Sequence, residues 1–223
     1  MQRAPWAVGL FFGAALAVLV LLVGPLLLFN PAFTSVLQQR HGVADAFGTS
    51  RAEVDRVTGE ILGDLYTDGT FDAAFPGDEP LLDARERSHM HDVAALIRAL
   101  LAVVLVGVVI AAVTGSWLRR EPRRQGRIML VAAGTIGAVA LVLAGIFAVA
   151  FEPAFLAFHA VFFPAGTYLF ESGSNLITLF PDGFWFDASL AAGATIVLAA
   201  AIVTLVGFRR WRGRPGDARA GRL

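Results

Sequence analysis

The sequence predicts an all-α membrane protein with four transmembrane helices and an extracytoplasmic cap between the first and second spans. Hydrophobic residues occupy 57% of the 223 positions, compared with about 45–50% in soluble domains. They are concentrated in four uninterrupted runs, at 6–29, 93–118, 128–151 and 188–208. Each run is longer than the roughly 20 residues that a helix needs to cross a bilayer. Because a helix satisfies its own backbone hydrogen bonds in lipid, these runs are expected to be membrane-spanning helices.

The distribution of charge predicts which segments face the cytoplasm. All 18 basic residues are arginine, and residues 30–91 carry eleven carboxylates against five arginines. Arginines instead crowd the link after the second run and the end of the chain, at Arg119, Arg120, Arg123, Arg124, Arg127, Arg209, Arg210, Arg212, Arg214, Arg219 and Arg222. Since short cytoplasmic segments are enriched in basic residues, both termini and the link are expected in the cytoplasm.

These two patterns together define the expected organisation of a multi-pass protein of the cytoplasmic membrane. The segments are a cytoplasmic N-terminus with the first span (1–29), the cap (30–92), the second span (93–118), a cytoplasmic link (119–127), the third span (128–151), an extracytoplasmic interfacial segment (152–187), the fourth span (188–208) and a cytoplasmic tail (209–223). The first run exceeds the about 7–15 apolar residues of a signal peptide, so we expect a retained anchor.

The cap is predicted to contain one amphipathic helix. Ser50 and Glu53 form a capping box, and apolar residues then recur at helical spacing, which predicts a helix from about 51 to 66. This helix is either a lid packed on its own domain or a helix lying in the outer headgroup layer, where Phe71 and Phe75 could also insert. The chain contains no cysteine, so the cap has no disulfides and a cysteine nucleophile is excluded.

A second capping box, Asp83 to Glu86, opens a helix that continues without a breaking residue to Trp117. A helix of this length, ~50 Å at 1.5 Å per residue, should protrude above the membrane at its polar start. In the third span, Gly134, Gly137 and Gly145 indicate close helix packing. The phenylalanine-rich stretch after the third span is too short to cross again and is expected at the outer leaflet.

His89 and Asp92 are three residues apart on the protruding helix and therefore share a face. Asp92 could orient or charge-stabilise His89, and Arg85 borders the same face. His91 points about 200° away from His89, so the two histidines cannot chelate one metal ion together. No metal site is therefore expected here.

His159 lies within the phenylalanine-rich stretch, where burial should depress the pKa of its imidazole. A structural alternative is an interfacial histidine whose ring caps a backbone group. His41, which follows Gln38, Gln39 and Arg40, is predicted to be a solvated surface residue.

Two segments resemble a known family. Residues 86–93 read ERSHMHDV and are similar to a His-Met-x-Asp-Val signature at the head of a span. Residues 158–163, FHAVFF, and 176–185, LITLFPDGFW, resemble the second signature of the same family. This family of bacterial four-span integral membrane proteins includes the lipoprotein intramolecular transacylase of Gram-positive bacteria.

The resemblance implies an extracytoplasmic cap over four spans and a catalytic pair of histidines, which fall on His89 and His159. Asp92 and Arg85 are expected to support His89 because they lie on the same face of its helix. Tyr168 and Asn175 depart from the family pattern, in which tryptophan and aspartate are expected. The two histidines are expected within about 10 Å of each other, because His89 lies one helical turn above the second span and His159 about two turns beyond the third.

The chemistry implied by the resemblance is an acyl transfer from a diacylglyceryl ester to the α-amino group of a lipoprotein's N-terminal cysteine. That amine has a pKa of about 7.7–8.0 and needs a base. One histidine would take the proton and the other would donate to the departing glycerol oxygen, without cofactor or metal. The expected partners are a diacylated lipoprotein or another outer-leaflet lipid and the bilayer, with no nucleic acid.

The alternative function is a non-enzymatic membrane assembly protein or sensor whose cap binds an envelope partner. In that case His89 and His159 are unrelated structural residues. A transporter is disfavoured, because the span centres carry no ionisable residue.

Overall fold

The computed structural model describes residues 4–67, 69–77 and 79–213, and this part of the chain is helical without strands. The helices are α1 (Trp6–Leu27), α2 (Pro31–Arg40), α3 (Val43–Ala46), α4 (Arg51–Asp64), α5 (Ala84–Leu118), α6 (Pro122–Val149), α7 (Phe151–Phe162), α8 (Asn175–Leu179) and α9 (Asp182–Arg212). Of the predicted tail, Arg209, Arg210 and Arg212 extend α9, and the later arginines lie outside the described residues.

Four helices, α1, α5, α6 and α9, are long and apolar enough to cross a membrane. The four-span class predicted from the sequence is thereby confirmed. α5 has 35 residues, or ~52 Å at 1.5 Å per residue, which exceeds the ~30 Å hydrocarbon core. α6 begins at Pro122, before the predicted start of the third span at residue 128.

The chain forms two compact units. The first consists of the described parts of 1–24, 102–143 and 193–223, with a core that includes Val20, Ala140 and Ile196. The close contact of α6 with α9 is made at Gly126, where an added Cβ would lie 2.5 Å from the carbonyl oxygen of Gly207.

Of the three glycines that the sequence indicated for helix packing, only Gly137 has a close neighbour. An added Cβ there would lie 3.0 Å from Cβ of Ala200, whereas Gly134 and Gly145 have nothing within 4 Å. The packing prediction is therefore wrong for those two positions, because glycine spacing alone does not show which helix face meets a neighbour.

The second unit comprises 25–101 and 144–192. The apolar face of α4, which includes Val57 and Ile61, is fully buried in its core. Of the two interpretations of this helix, the structure therefore supports a lid packed on its own domain. Phe71 is 0% exposed, so it does not insert into headgroups as the second interpretation would allow. Phe75 packs against the ring of Phe47, with centroids 5.3 Å apart.

Helix α2 was not predicted, although its start carries a recognisable signal. The side chain of Asn30 accepts hydrogen bonds from the backbone N–H groups of Ala32 and Phe33, and Pro31 occupies the first helical position. Both are preferred features of helix N-termini.

The phenylalanine-rich stretch forms α7, separated from α6 by the non-helical backbone of Ala150 (φ −140°, ψ 52°). Its 12 residues are fewer than the about 20 that a span requires, in agreement with the sequence prediction. Pro153 lies in the first turn, where its missing N–H has no helical partner to lose.

Candidate active site

His89 lies near the start of α5, ahead of the apolar segment that begins at Val93, and is 6% exposed. Aromatic rings surround its imidazole. The centroid of its ring lies 4.8 Å from that of Phe163 and 5.6 Å from that of Phe170. Asp83 caps the start of α5, because its Oδ1 accepts hydrogen bonds from the N–H groups of Arg85 and Glu86.

His159 lies on the last turn of α7. Its Nδ1 is 2.8 Å from the carbonyl oxygen of Phe155, one turn earlier. The ring packs against Phe155, Phe163 and Tyr168, with centroid separations of 4.2, 5.5 and 5.3 Å. The hydrogen bond to a backbone group that a purely structural role for His159 would require is therefore present. The same bond also affects the chemistry of the ring.

The structure brings His89 and His159 together. Their ring centroids are 6.1 Å apart and the ring planes are inclined by 30°. The sequence predicted that the two histidines lie within about 10 Å of each other, because His89 is one helical turn before the second span and His159 is about two turns after the third. The observed separation agrees with this prediction. Phe163 contacts both rings, so the two imidazoles share one apolar enclosure.

The hydrogen bond to Phe155 determines the tautomer of His159. A carbonyl oxygen can only accept, so Nδ1 of His159 carries the proton and donates it to this oxygen. In a neutral imidazole the other nitrogen, Nε2, then has the free lone pair. His159 can therefore accept a proton at Nε2.

Both imidazoles are held in the neutral form. Burial lowers the pKa of His159, and its bond to the Phe155 carbonyl opposes this effect. Burial, followed by the charge of a protonated His159, lowers the pKa of His89 to about 4, while the carboxylate of Asp92 acts in the opposite direction. Desolvation penalises the charged imidazolium more than the neutral ring.

Nδ1 of His89 is the one buried side-chain nitrogen or oxygen within the described residues that has no hydrogen-bond partner. Buried polar atoms are nearly always paired. This ring nitrogen, beside a second histidine, is therefore available for a hydrogen bond to a polar group that enters the enclosure.

The other histidines lie elsewhere. The ring of His91 packs edge-on against Phe71, with centroids 5.0 Å apart, so it points away from His89, as the helical geometry predicted. The prediction of a solvated His41 is wrong. Its Nε2 lies 2.8 Å from Oδ2 of Asp187, and a Cβ on Gly183 would approach its ring within 2.6 Å.

The two predicted supporting residues differ in what they contact. Asp92 acts on His89 through its charge. Arg85 is exposed, and its Nη2 donates to the carbonyl oxygen of Leu169, at 3.2 Å. Leu169 lies between Tyr168, whose ring contacts His159, and Phe170, whose ring contacts His89. Arg85 therefore contacts the loop beside the histidines.

The sequence did not indicate that Phe170 and Tyr168 line the histidine pair. Both belong to the loop 163–174, whose course no local pattern specifies. Within the described ranges, no group of three or more His, Cys, Asp or Glu side chains could hold a metal ion.

A family model described as lipoprotein intramolecular transacylase Lit matches residues 8–185 of the chain. None of the curated proteins matches it. Among solved structures, the chain is similar to the membrane integral lipoprotein intramolecular transacylase Lit from Bacillus cereus, at 15% identity and a TM-score of 0.77. The match covers 92% of this chain and 95% of the other.

Two variants of the Bacillus cereus protein, in which one histidine is replaced by arginine or by alanine, also match. Both are 16% identical to this chain, with TM-scores of 0.75 and 0.73. The arginine variant match covers 97% of this chain and 94% of the other, and the alanine variant match covers 91% of each. At this identity the structural likeness establishes the fold.

Proposed function

Since the chain belongs to the lipoprotein intramolecular transacylase Lit family, it is a membrane acyltransferase, and we propose that its substrate is a diacylated lipoprotein. The acyl chain moves from a glycerol ester of the diacylglyceryl group to the α-amino group of the N-terminal cysteine. The product is the lyso-form lipoprotein. The observation that carries this proposal is the pair of neutral histidines in one apolar enclosure, with ring centroids 6.1 Å apart.

His159 is proposed as the general base. The α-amine has a pKa of about 7.7–8.0 and reacts as the fraction that has released its ammonium proton to solvent, and the Nε2 lone pair of His159 takes one of the two remaining protons as the nitrogen attacks. The hydrogen bond to Phe155 keeps the other nitrogen of His159 protonated and fixes the ring. A positioned base of this kind contributes about 10²–10⁴-fold to a rate.

His89 is proposed as the proton donor to the leaving group. The amine nitrogen forms a bond to the ester carbonyl carbon, the bond from that carbon to the glycerol oxygen breaks, and the departing oxygen takes a proton from His89. His159 passes the amine proton to His89 in the same step, so that both imidazoles end neutral and the net change is one amide and one glycerol hydroxyl. Such a transfer between an ester and a nearby amine requires no cofactor, ATP or metal ion.

The acyl chains are proposed to enter laterally from the outer leaflet. α7 carries a set of exposed apolar side chains beside His159, namely Leu156, Phe158, Val161 and Phe162. A short apolar helix with such a surface is suited to the boundary between headgroups and acyl chains. The proposal places residues 30–92 as an extracytoplasmic cap and 152–187 at the outer interface of the cytoplasmic membrane, with both termini inside.

The test uses the purified protein in liposomes with a synthetic lipopeptide whose N-terminal cysteine carries a diacylglyceryl thioether. Intramolecular transfer leaves the mass of the lipopeptide unchanged, so fragmentation in tandem mass spectrometry has to locate the acyl chain on the amine. A mixture of isotopically light and heavy lipopeptides distinguishes transfer within one molecule from transfer between two.

Formation of an N-acylated product without isotopic mixing supports the proposal. An increase in mass by one acyl group, without a lipopeptide that has lost one, would instead show that a bilayer lipid is the donor. A complete lack of N-acylated product with the folded wild-type protein would favour the assembly or sensor function.

A further inference from the structure

Glu86 is a buried carboxylate one helical turn before His89. Glu86 is only 2% exposed, which is rare for a glutamate unless its carboxylate has hydrogen-bond or charged partners. Oε2 accepts a hydrogen bond from the N–H of Asp83, at 2.7 Å, which completes the capping box of α5. That role alone would occupy only one of the two carboxylate oxygens.

The other oxygen of Glu86 binds a distant part of the chain. Oε1 accepts from the N–H of Leu176 at 2.9 Å and from the hydroxyl of Ser174. Both donors belong to the start of α8, where Oγ of Ser174 also caps the helix. Hydrogen bonds to an ionised, buried acceptor are among the stronger ones in proteins.

This contact anchors the end of the loop 163–174. The beginning of the loop is fixed at Phe163, whose N–H donates to the carbonyl oxygen of His159, at 2.9 Å. The rings of Tyr168 and Phe170 lie between these two ends and contact the histidines, at 5.3 and 5.6 Å between centroids.

Two further bonds hold the same segment. Nδ2 of Asn175 donates to the carbonyl oxygen of Leu81, at 2.7 Å, and the Arg85 guanidinium donates to Leu169. The Arg85 side chain is exposed, so water competes for its bond. Glu86 is the buried charged group among these contacts, and it joins the loop to the helix that carries His89.

We propose that Glu86 is a positioning residue, which holds the loop 163–174 over His89 and His159 and so excludes water from the pair. The inference rests on the proposed function, since it assigns Glu86 a part in keeping the two imidazoles neutral and oriented. The carboxylate acts through the loop and touches no reacting atom. Losing it would leave the N–H of Leu176 and the hydroxyl of Ser174 without their acceptor.

Carbethoxylation of the histidines by diethyl pyrocarbonate tests this proposal on the intact protein in liposomes, with mass spectrometry resolving each modified residue. The reagent attacks neutral imidazole, so its rate at His89 reports access to that ring. His91, which is exposed and lies on the opposite face, serves as the reference within each variant.

Glu86→Gln and Ser174→Ala are expected to accelerate modification of His89 relative to His91 by about tenfold, because each removes a buried hydrogen bond that restrains local opening. Ser174→Thr keeps the hydroxyl and should restore the wild-type rate. Asp83→Ala is the matched control: it removes the other cap of α5 but leaves the bonds from Glu86 to α8, and the His89 rate should stay near wild type.

Unchanged protection of His89 in both Glu86→Gln and Ser174→Ala would overturn the proposal, as would an equal rise in Asp83→Ala. Should Glu86→Gln fail to fold, Ser174→Ala still decides, because it keeps the carboxylate. Acyl transfer is measured in untreated portions of the same preparations and should fall in Glu86→Gln and Ser174→Ala and recover in Ser174→Thr. Absence of transfer in the wild type would defeat the proposed function, while the His89 rates would still test the role of Glu86.

Discussion

The hydrogen bond from Nδ1 of His159 to the carbonyl oxygen of Phe155 decides which nitrogen of that ring can accept a proton. The bond joins residues four apart on one helix, so it survives any small movement of α7 as a whole. His89 lacks such a bond at Nδ1. The two rings therefore differ chemically although they share one apolar enclosure.

Replacing either histidine by alanine is expected to reduce acyl transfer by about 10²–10⁴-fold, because each removes one proton-transfer group. The measurement is the initial rate of N-acylation in liposomes at matched protein levels.

His91→Ala is the matched control for these variants, since it removes an imidazole two residues away on the same helix. It should retain most of the activity. Full activity in both His89→Ala and His159→Ala would refute the proton-transfer roles assigned to these two residues. An equal loss in His91→Ala would refute the argument that His91 takes no part because it lies on the opposite face of the helix from His89.

The neutral state of His89 also predicts a pH dependence of stability. The pKa of His89 is about 6.5 in the unfolded chain, whereas burial in the fold lowers it to about 4. Between these values the unfolded state binds more protons, so acidification from pH 6.5 towards 4 destabilises the fold. By this linkage the contribution of His89 at pH 5 is up to about 2 kcal/mol.

The midpoint of unfolding should therefore drop less between pH 7 and pH 5 in His89→Gln than in the wild type, because glutamine does not titrate. Carboxylates are present in both proteins and largely cancel in the comparison. Equal drops in the two proteins would contradict the pKa assigned to His89.

The limits of sequence reasoning at the scale of residues are visible at His41. Its neighbours Gln38, Gln39 and Arg40 indicated a solvated position, yet Asp187, 146 residues later, pairs with it. Local polarity cannot reveal a partner so distant in sequence. His89 and His159 could be paired because both were tied to the ends of predicted spans, whose depths the bilayer fixes, and because the family resemblance implied a catalytic pair of histidines at these positions.

At the scale of elements, helix periodicity and capping predicted α4 to within two residues at its end, and the long helix α5 to within one residue at each end. The short helices α2 and α8 were not predicted from the sequence. Their apolar faces are small, and their positions depend on contacts such as the bond from Gln38 to the carbonyl oxygen of Leu179. A helix of fewer than three turns has little periodicity to detect, so capping residues are its main signal.

The close contact between α6 and α9 gives a prediction for these elements. At Gly126 a Cβ would lie 2.5 Å from the carbonyl oxygen of Gly207 and 2.5 Å from the N atom of Trp211. Gly126→Ala should therefore force the helices apart and destabilise the protein by about 1–3 kcal/mol, as overpacking does. The measurement is the midpoint of thermal unfolding in detergent.

Gly134→Ala is the control on the same helix, where nothing lies within 4 Å of an added Cβ. It should be neutral or stabilise by up to about 1 kcal/mol, since alanine favours the helix over glycine. A loss of stability in Gly134→Ala that matches Gly126→Ala would show that glycine is needed in α6 for another reason than this contact.

At the scale of the whole molecule, hydropathy was sufficient to predict four spans, because a bilayer imposes one length on every helix that crosses it. The division into two compact units was not foreseen. It depends on which residues of α5, α6 and α9 pack with the helices around α4 and which pack with α1. Length and composition do not carry that information.

The proposed orientation places the cap outside and the link between α5 and α6 inside, because arginine-rich segments resist translocation. The chain contains no cysteine, so single cysteines can be introduced without other changes. With a membrane-impermeant maleimide on intact protoplasts, Glu60→Cys in α4 should be labelled. Arg120→Cys in the link should react only after permeabilisation. Labelling of both variants after permeabilisation is the control for reactivity, and labelling of Arg120→Cys alone in intact protoplasts would invert the topology and place the histidine pair on the cytoplasmic side.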